Sequence, residues 1–192
     1  MGNTNRLIIL TAPSGAGKTS ITRFLLEKYD RLSFSVSATT RKPRTGEKDG
    51  IDYYFISVED FQNKINSQAF VEWEMVYEGK YYGTLKSSLQ QIWDAGKVPV
   101  LDIDVQGAVH VQQQFPGTSL TIFIEPPSLE VLKMRLETRQ SETPQSLETR
   151  LNKASYELSF KHQFDKVIVN DVLEKACRET AAQIREFLGG EL

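Results

Sequence analysis

Residues 12–19 read Ala-Pro-Ser-Gly-Ala-Gly-Lys-Thr and follow directly on the apolar run Leu7-Ile8-Ile9-Leu10. All but the first position match the pattern G-x-x-x-x-G-K-[ST]; Ala12 stands where that pattern has Gly. The motif requires a buried strand, a glycine-rich turn and then a helix. The chain supplies all three, since Ile21, Phe24, Leu25 and Tyr29 recur at helical spacing after Lys18. A strand followed by a helix of this kind belongs to an α/β fold around a parallel sheet.

The same loop predicts chemistry. Gly15 and Gly17 permit unusual dihedrals and close approach, so successive N–H groups can point at phosphate oxygens. The start of the following helix adds its dipole. Lys18 is spaced to reach the β- and γ-phosphates, and the Thr19 hydroxyl to ligand Mg²⁺. Pro13, Ser14 and Ala16 complete the loop. Ala12 needs a negative φ, which the position before a proline favours. The loop therefore reads as a nucleoside triphosphate site and leaves the acceptor open.

A second element supports it. Val98-Pro99-Val100-Leu101-Asp102 is an apolar strand ending in an acid, with Asp104 two residues on. Ligands of open α/β sheets lie at the carboxyl ends of strands, so Asp102 suits a metal-side acid. Asp102 and Asp104 share a face if the strand continues that far. The alternative for Asp104 is a helix N-cap before Val105.

Strand and helix patterns alternate through most of the chain, with one interruption. Residues 41–50 are polar and rich in breakers, a loop. Residues 53–84 look like short strands around a helix at about 58–67, with Glu78-Gly79 as a hairpin turn. Ser33 to Thr39 reads as one extended stretch. Strands at 98–102, 119–124 and 167–169 and helices at 85–95, 105–114, 128–139 and 172–188 resume the main pattern. Thr143-Pro144 starts another helix with Leu147, Leu151, Ala154 and Leu158 on one face.

Two arginine groups stand out. Arg135 and Arg139 lie at i, i+4, a like-charge spacing that destabilises a helix by about 0.2–0.5 kcal/mol and suits an anion between them. Arg150 follows across the polar segment Gln140–Thr143, so the three suit a lid over transferring phosphates; a solvated charged face is the alternative. Arg41 and Arg44 flank Pro43 near Tyr53 and can hold a second phosphate, or be solvated loop charge.

Composition narrows the classes. The net charge of -2 excludes nucleic-acid binding driven by total charge. Cys177 is the single cysteine, so no internal disulfide and no CxxC site exists; His110 and His162 stand outside any ligand pattern. No apolar run approaches the roughly 18 residues of a membrane span. Arg6 occupies the position where a myristoylation signal needs Ser or Thr, and no signal-peptide core is present. The expectation is a soluble cytoplasmic protein acting on small molecules, without nucleic-acid or membrane partners, as a monomer or homodimer.

Several blocks together resemble guanylate kinase: residues 12–19, Ser37-Ala38-Thr39-Thr40-Arg41-Lys42-Pro43-Arg44, Gly50-Ile51-Asp52-Tyr53, Val71-Glu72-Trp73, Tyr81-Tyr82-Gly83-Thr84, and Leu101-Asp102-Ile103-Asp104-Val105-Gln106-Gly107. The resemblance runs from about residue 6 to 188. It implies a three-layer P-loop fold with a parallel central sheet, a small mixed α+β GMP-binding insertion and a short helical lid. The core would be 1–36, 85–135 and 150–192, the GMP-binding region 37–84 and the lid 136–149.

The implied reaction is Mg²⁺-dependent transfer from ATP to GMP, and to dGMP. By matching position, Arg41, Arg44, Tyr53 and Tyr82 would hold the GMP phosphate. Glu72 would accept from guanine N1–H and the 2-amino group, with Ser37, Thr84 and Asp104 assisting. Residues 12–19 and Asn170 would bind ATP, and Thr19 and Asp102 the metal. Lys18, Arg41, Arg135, Arg139 and Arg150 would carry the transfer. Ala12 occurs in related bacterial enzymes, whereas Gln140 stands where the family commonly has Gly. The competing reading is a catalytically inactive guanylate-kinase-like module that binds phosphopeptides; Lys18 and Thr19, which such modules lose, are intact here. A kinase for another small acceptor is the third.

Overall fold

The computed structural model describes residues 5–138, 144–190 and 192. In chain order the elements are β1 (Leu7–Thr11), α1 (Lys18–Lys28), β2 (Leu32–Phe34), β3 (Ala38–Thr39), β4 (Tyr54–Phe55), α2 (Val58–Asn66), β5 (Phe70–Tyr77), β6 (Lys80–Leu85) and α3 (Lys86–Asp94). They continue with β7 (Val98–Asp102), α4 (Val105–Gln114), β8 (Ser119–Glu125), α5 (Leu129–Glu137), α6 (Pro144–Leu158), β9 (Lys166–Val169) and α7 (Leu173–Phe187).

Five strands form a central sheet in the order β2-β7-β1-β8-β9, and every pairing in it is parallel. All five residues of β1 are buried, as a strand covered on both faces requires. Its side chains alternate between two cores. Ile8 and Leu10 join Ile21 and Leu25 of α1 and Ala181 and Ile184 of α7. Leu7 and Ile9 join Leu89 of α3 and Val105, Ala108 and Val111 of α4. The result is helix, sheet, helix in three layers.

The insertion is a second sheet, ordered β4-β3-β6-β5. β3 pairs parallel to β4 and antiparallel to β6, and β5 and β6 form the hairpin closed at Glu78-Gly79, where Tyr77 opposes Lys80. Gly79 has φ 68°, a conformation glycine adopts without steric cost. α2 covers this sheet. Ser57 caps it by accepting from Asp60 N–H, and Phe61, fully buried, stacks on Phe70 at 4.4 Å between centroids.

The stretch from Ser33 to Thr39, read from sequence as one extended segment, is two strands in two sheets. β2 pairs with β7 in the core, and β3 pairs with β4 and β6 in the insertion. Residues 35–37 carry the chain between the two bodies. Of the helical face at 147–158, Leu147, Leu151 and Ala154 pack on Leu132 and Leu136 of α5, while Leu158 joins the second core. Arg139, Gln140 and most of the segment linking α5 to α6 lie outside the described residues, as does the Met1-Gly2-Asn3-Thr4 start. Among the described residues no helix is long and apolar enough to cross a membrane.

Removing the Phe61 ring leaves a cavity under the second sheet. Phe61→Ala is expected to lower unfolding free energy by about 3–5 kcal/mol in chemical denaturation.

Candidate active site

The site begins where β1 stops. The chain leaves the sheet at Thr11, and the loop turns with Gly15 at φ 96° and Gly17 at φ 97°. Both values lie in the left-handed region. A Cβ at Gly17 would overlap Asn170 Nδ2, and one at Gly15 would come within 2.9 Å of Leu136 Cδ2, so the loop is clamped between the end of β9 and α5. Asn170 Nδ2 donates to the Ala16 carbonyl at 2.7 Å, and Arg135 Nη2 donates to the Asn170 carbonyl at 2.9 Å. These two predicted site residues thus brace the loop from behind. Arg135 Nη1 and Asn170 Oδ1 are buried and find no partner among the described residues.

Gly17 is also the N-cap of α1. It offers no side-chain cap, and the first turn of α1 holds no acid. Unpaired N–H groups and the positive end of the helix dipole therefore face the cleft, a ready anion site. Lys18 Nζ lies 2.5 Å from Asp102 Oδ1 and donates to the Ile103 carbonyl at 2.6 Å. Thr22 Oγ1 approaches Asp102 Oδ2 at 3.4 Å. The loop thereby connects directly to the end of β7.

One cleft unites the two halves of the prediction. From the core it is lined by Ala12, Pro13, Ser14, Gly15, Gly17, Lys18, Thr19, Asp102 and Asp104, and from α6 by Arg150. From the insertion come Ser37, Arg44, Tyr53, Glu72 and Tyr82. β7 ends at Asp102, so the strand does not carry Asp104 onto a shared face. Asp104 arrives by another route, as the N-cap of α4, its Oδ1 accepting from Gln106 N–H at 2.9 Å and Gly107 N–H at 3.0 Å. It fills both roles weighed for it, cap and cleft wall.

Glu72 forms the floor on the insertion side. It is 7% exposed, and Thr84 Oγ1, itself fully buried, donates to its Oε1 at 2.5 Å. Burial pushes the Glu72 carboxyl up to about 7, against the lowering effect of the Thr84 hydrogen bond. A buried carboxylate on the cleft wall is built to accept from a ligand carrying paired donors.

Arg41 is not on the cleft wall. It forms a bidentate pair with Glu47, Nη1 to Oε2 at 2.6 Å and Nη2 to Oε1 at 2.7 Å, and donates from Nε to Tyr82 Oη at 3.1 Å. Its guanidinium lies 4.9 Å from the centre of the Tyr53 ring. The pair raises the guanidinium further above its usual range and lowers Glu47 below the usual carboxylate range. Burial pushes the Tyr53 hydroxyl up to about 12, so it remains a donor at neutral pH.

Three side chains escaped the sequence reading. Glu47 lies in the polar loop at 41–50 and was assigned no role. Lys153 and Glu157 lie one and two turns beyond Arg150 on α6 and line the same cleft. Glu157 is 7% exposed, 3.7 Å from Lys153, and burial pushes it up to about 7. The i, i+3, i+7 spacing from Arg150 would have placed them on one helical face.

Donors for a cation are oxygens only: the Asp102 carboxylate and the Thr19 hydroxyl, both on the cleft. Among the described residues no cluster of three or more His, Cys, Asp or Glu forms a cage. Mg²⁺ binds through one or two carboxylates with substrate phosphates and water, and this donor set fits it.

The guanylate kinase family model matches residues 4–187. The chain belongs to the guanylate kinase family. Its relatives include a guanylate kinase of Bacteroides thetaiotaomicron, 45% identical over 98% of this chain and 92% of the relative. A guanylate kinase of Chlorobium chlorochromatii is 48% identical over 96% of each chain. The crystal structure of guanylate kinase from Anaplasma phagocytophilum superposes with a TM-score of 0.77 at 32% identity, covering 94% of this chain and 85% of that one. A shikimate kinase structure from Bacteroides thetaiotaomicron, at 15% identity and a TM-score of 0.50, shares the fold alone. The chain is thus an enzyme of ATP-dependent phosphoryl transfer to a nucleotide, with the P-loop fold expected from its sequence.

The pKa directions give a pH test. Glu72 and Glu157 rise from an ordinary 4.5 to about 7 in the fold. Their contribution to stability is full below about pH 4.5 and is lost as pH rises towards 7. For Glu72 the span corresponds to on the order of 3 kcal/mol. Glu72→Gln is expected to flatten part of this decline in unfolding free energies measured from pH 5 to 8.

Proposed function

We propose that the chain transfers the terminal phosphoryl group of ATP to GMP, and to dGMP, with the donor on loop 12–19 and the acceptor on the insertion. The observation that carries this reading is Glu72: a buried, Thr84-anchored carboxylate opening on the same cleft as the uncapped start of α1. Guanine presents N1–H and a 2-amino group side by side, and one carboxylate accepts both. Adenine has no such pair on that edge, and its entry would leave a buried carboxylate unpaired.

Arg44, Tyr53 and Tyr82 surround the acceptor phosphate in this reading, with Ser37 and Asp104 beside the base. Arg41 supports them through Tyr82 and, once released from Glu47, can join them. Tyr53 and Tyr82 donate hydroxyls to phosphate oxygens. Thr19 and Asp102 would hold Mg²⁺, which would supply charge neutralisation at the phosphates.

On the donor side the N–H groups of the loop and of α1 bind phosphate oxygens. Lys18 leaves Asp102 to meet the bridging region between donor phosphates. Asn170 and Arg135 hold the loop backbone in place, and Arg150 and Lys153 bring positive charge from α6 towards the transferring group. The attacking oxygen belongs to a phosphate already largely ionised at neutral pH, so no general base is required. Rate acceleration rests on alignment and on cations placed where charge spreads. The segment at 136–149, with Arg139, is assigned as the lid, and closure of the insertion over the cleft excludes water.

Initial rates with ATP and each of GMP, dGMP, AMP, UMP and CMP test the assignment; GMP and dGMP should be preferred, and equal rates with AMP would remove it. Lys18→Met should lower kcat by about 10²-fold or more with the far-UV spectrum unchanged. Glu72→Gln should raise KM for GMP and leave KM for ATP in place.

A further inference from the structure

Gly107 is the third residue of α4, in its first turn, and its φ is not positive. Nothing in its backbone conformation calls for glycine. Glycine is the poorest helix former after proline, so its use here needs another reason. The three atoms nearest to a Cβ built on Gly107 all belong to Glu72: Oε2 at 2.8 Å, Cδ at 3.3 Å and Cγ at 3.8 Å. Real Cβ atoms do not approach an oxygen that closely, so the carboxylate would have to move.

The surroundings decide how it would move. Glu72 Oε1 is fixed by Thr84 Oγ1 at 2.5 Å, and the residue is buried. β5 cannot retreat from α4 as a whole, because two side chains of α4 hold it. Gln114 Nε2 donates to the Val71 carbonyl at 2.8 Å, and His110 Nδ1 lies 3.0 Å from Glu74 Oε1. α4 is in turn fixed by its Asp104 cap, one bond of which ends on Gly107 N–H. The displacement therefore falls on the carboxylate plane. The missing methyl also lets that carboxylate lie against the first turn of α4, where the helix dipole favours an anion.

We propose that Gly107 is a positioning residue for base selectivity: its bare Cα is the seat that sets how Glu72 presents its carboxylate to the acceptor base. This rests on the reading of Glu72 as the guanine acceptor. Thr84 fixes one oxygen and Gly107 fixes the space of the other. A guanine offers two donors about as far apart as the two oxygens, so a shift of a few tenths of an ångström degrades both bonds together.

The test is steady-state kinetics of wild type, Gly107→Ala, Glu72→Ala and the double variant, with GMP, IMP and AMP as acceptors. IMP keeps N1–H and lacks the 2-amino group; AMP lacks both donors. Gly107→Ala is expected to raise KM for GMP about tenfold or more and to narrow the preference for GMP over IMP. KM for ATP should stay within about twofold, since the loop is untouched. The thermal midpoint of Gly107→Ala should fall where Glu72 is present, because the methyl crowds a buried carboxylate, and should not fall in the Glu72→Ala background, where alanine is simply the better helix former. In the Glu72→Ala background the carboxylate is gone, and adding Gly107→Ala should change GMP use by less than about twofold.

A Gly107→Ala enzyme with unaltered GMP kinetics and selectivity overturns the inference. So does an equal loss in both backgrounds, or a lowered midpoint in both, since either would make the effect one of α4 rather than of Glu72. The two readings fail separately. A wild type that does not prefer GMP over AMP removes the assignment of Glu72, whereas a selective wild type with an indifferent Gly107→Ala removes only the role of Gly107.

Discussion

The site depends on one unpaired helix start. α1 opens on Gly17 in the left-handed region, with no side-chain cap and no acid in its first turn, at the carboxyl end of a fully buried strand. A helix end of this kind leaves N–H groups needing an acceptor. Asn170 and Arg135 hold the loop from behind, and Leu132 and Leu136 pack on Gly15, so the loop cannot fold over to satisfy itself. An incoming triphosphate supplies what the fold withholds.

The parallel sheet gathers the other parts to the same edge. β7 lies beside β1 in register, Leu10 opposite Asp102, which brings the Asp102 carboxylate to Lys18. The next residues start α4, and α4 faces β5 of the insertion. The acceptor floor is thus tied to the donor loop through one short path: Lys18, Asp102, Asp104, Gly107, Glu72. In the proposed reading, base recognition and phosphate binding are linked along this path, although they lie in different sheets.

Charge is placed with equal economy. Glu47 pairs with Arg41, and Asp102 pairs with Lys18. Each cation is held in position by an acid. Such pairs keep buried guanidinium and ammonium groups satisfied without spending conformational entropy at the moment of binding. Glu157 sits among Lys153, Lys18 and Asp104 on the opposite wall, where burial disfavours its ionised form.

Much was legible in the chain itself. The strand at Leu7–Thr11, the loop, α1, the strand ending at Asp102 and the Glu78-Gly79 hairpin follow from periodicity and turn chemistry, because these are local constraints. Asp104 as a helix cap was also readable, from its place before Val105. What the chain could not reveal lies between residues distant in sequence or joined by a loop without periodicity. The extended stretch at 33–39 divides between two sheets because its pairing partners, β7 and β6, are far along the chain. Arg41 turns to Glu47 through a loop without periodicity. Gly107 needs Glu72, thirty-five residues earlier, to explain it. Local sequence determined which elements form and that a triphosphate loop is present; packing alone decided which side chains meet across the cleft, because distances between separate elements are set by the core that holds them.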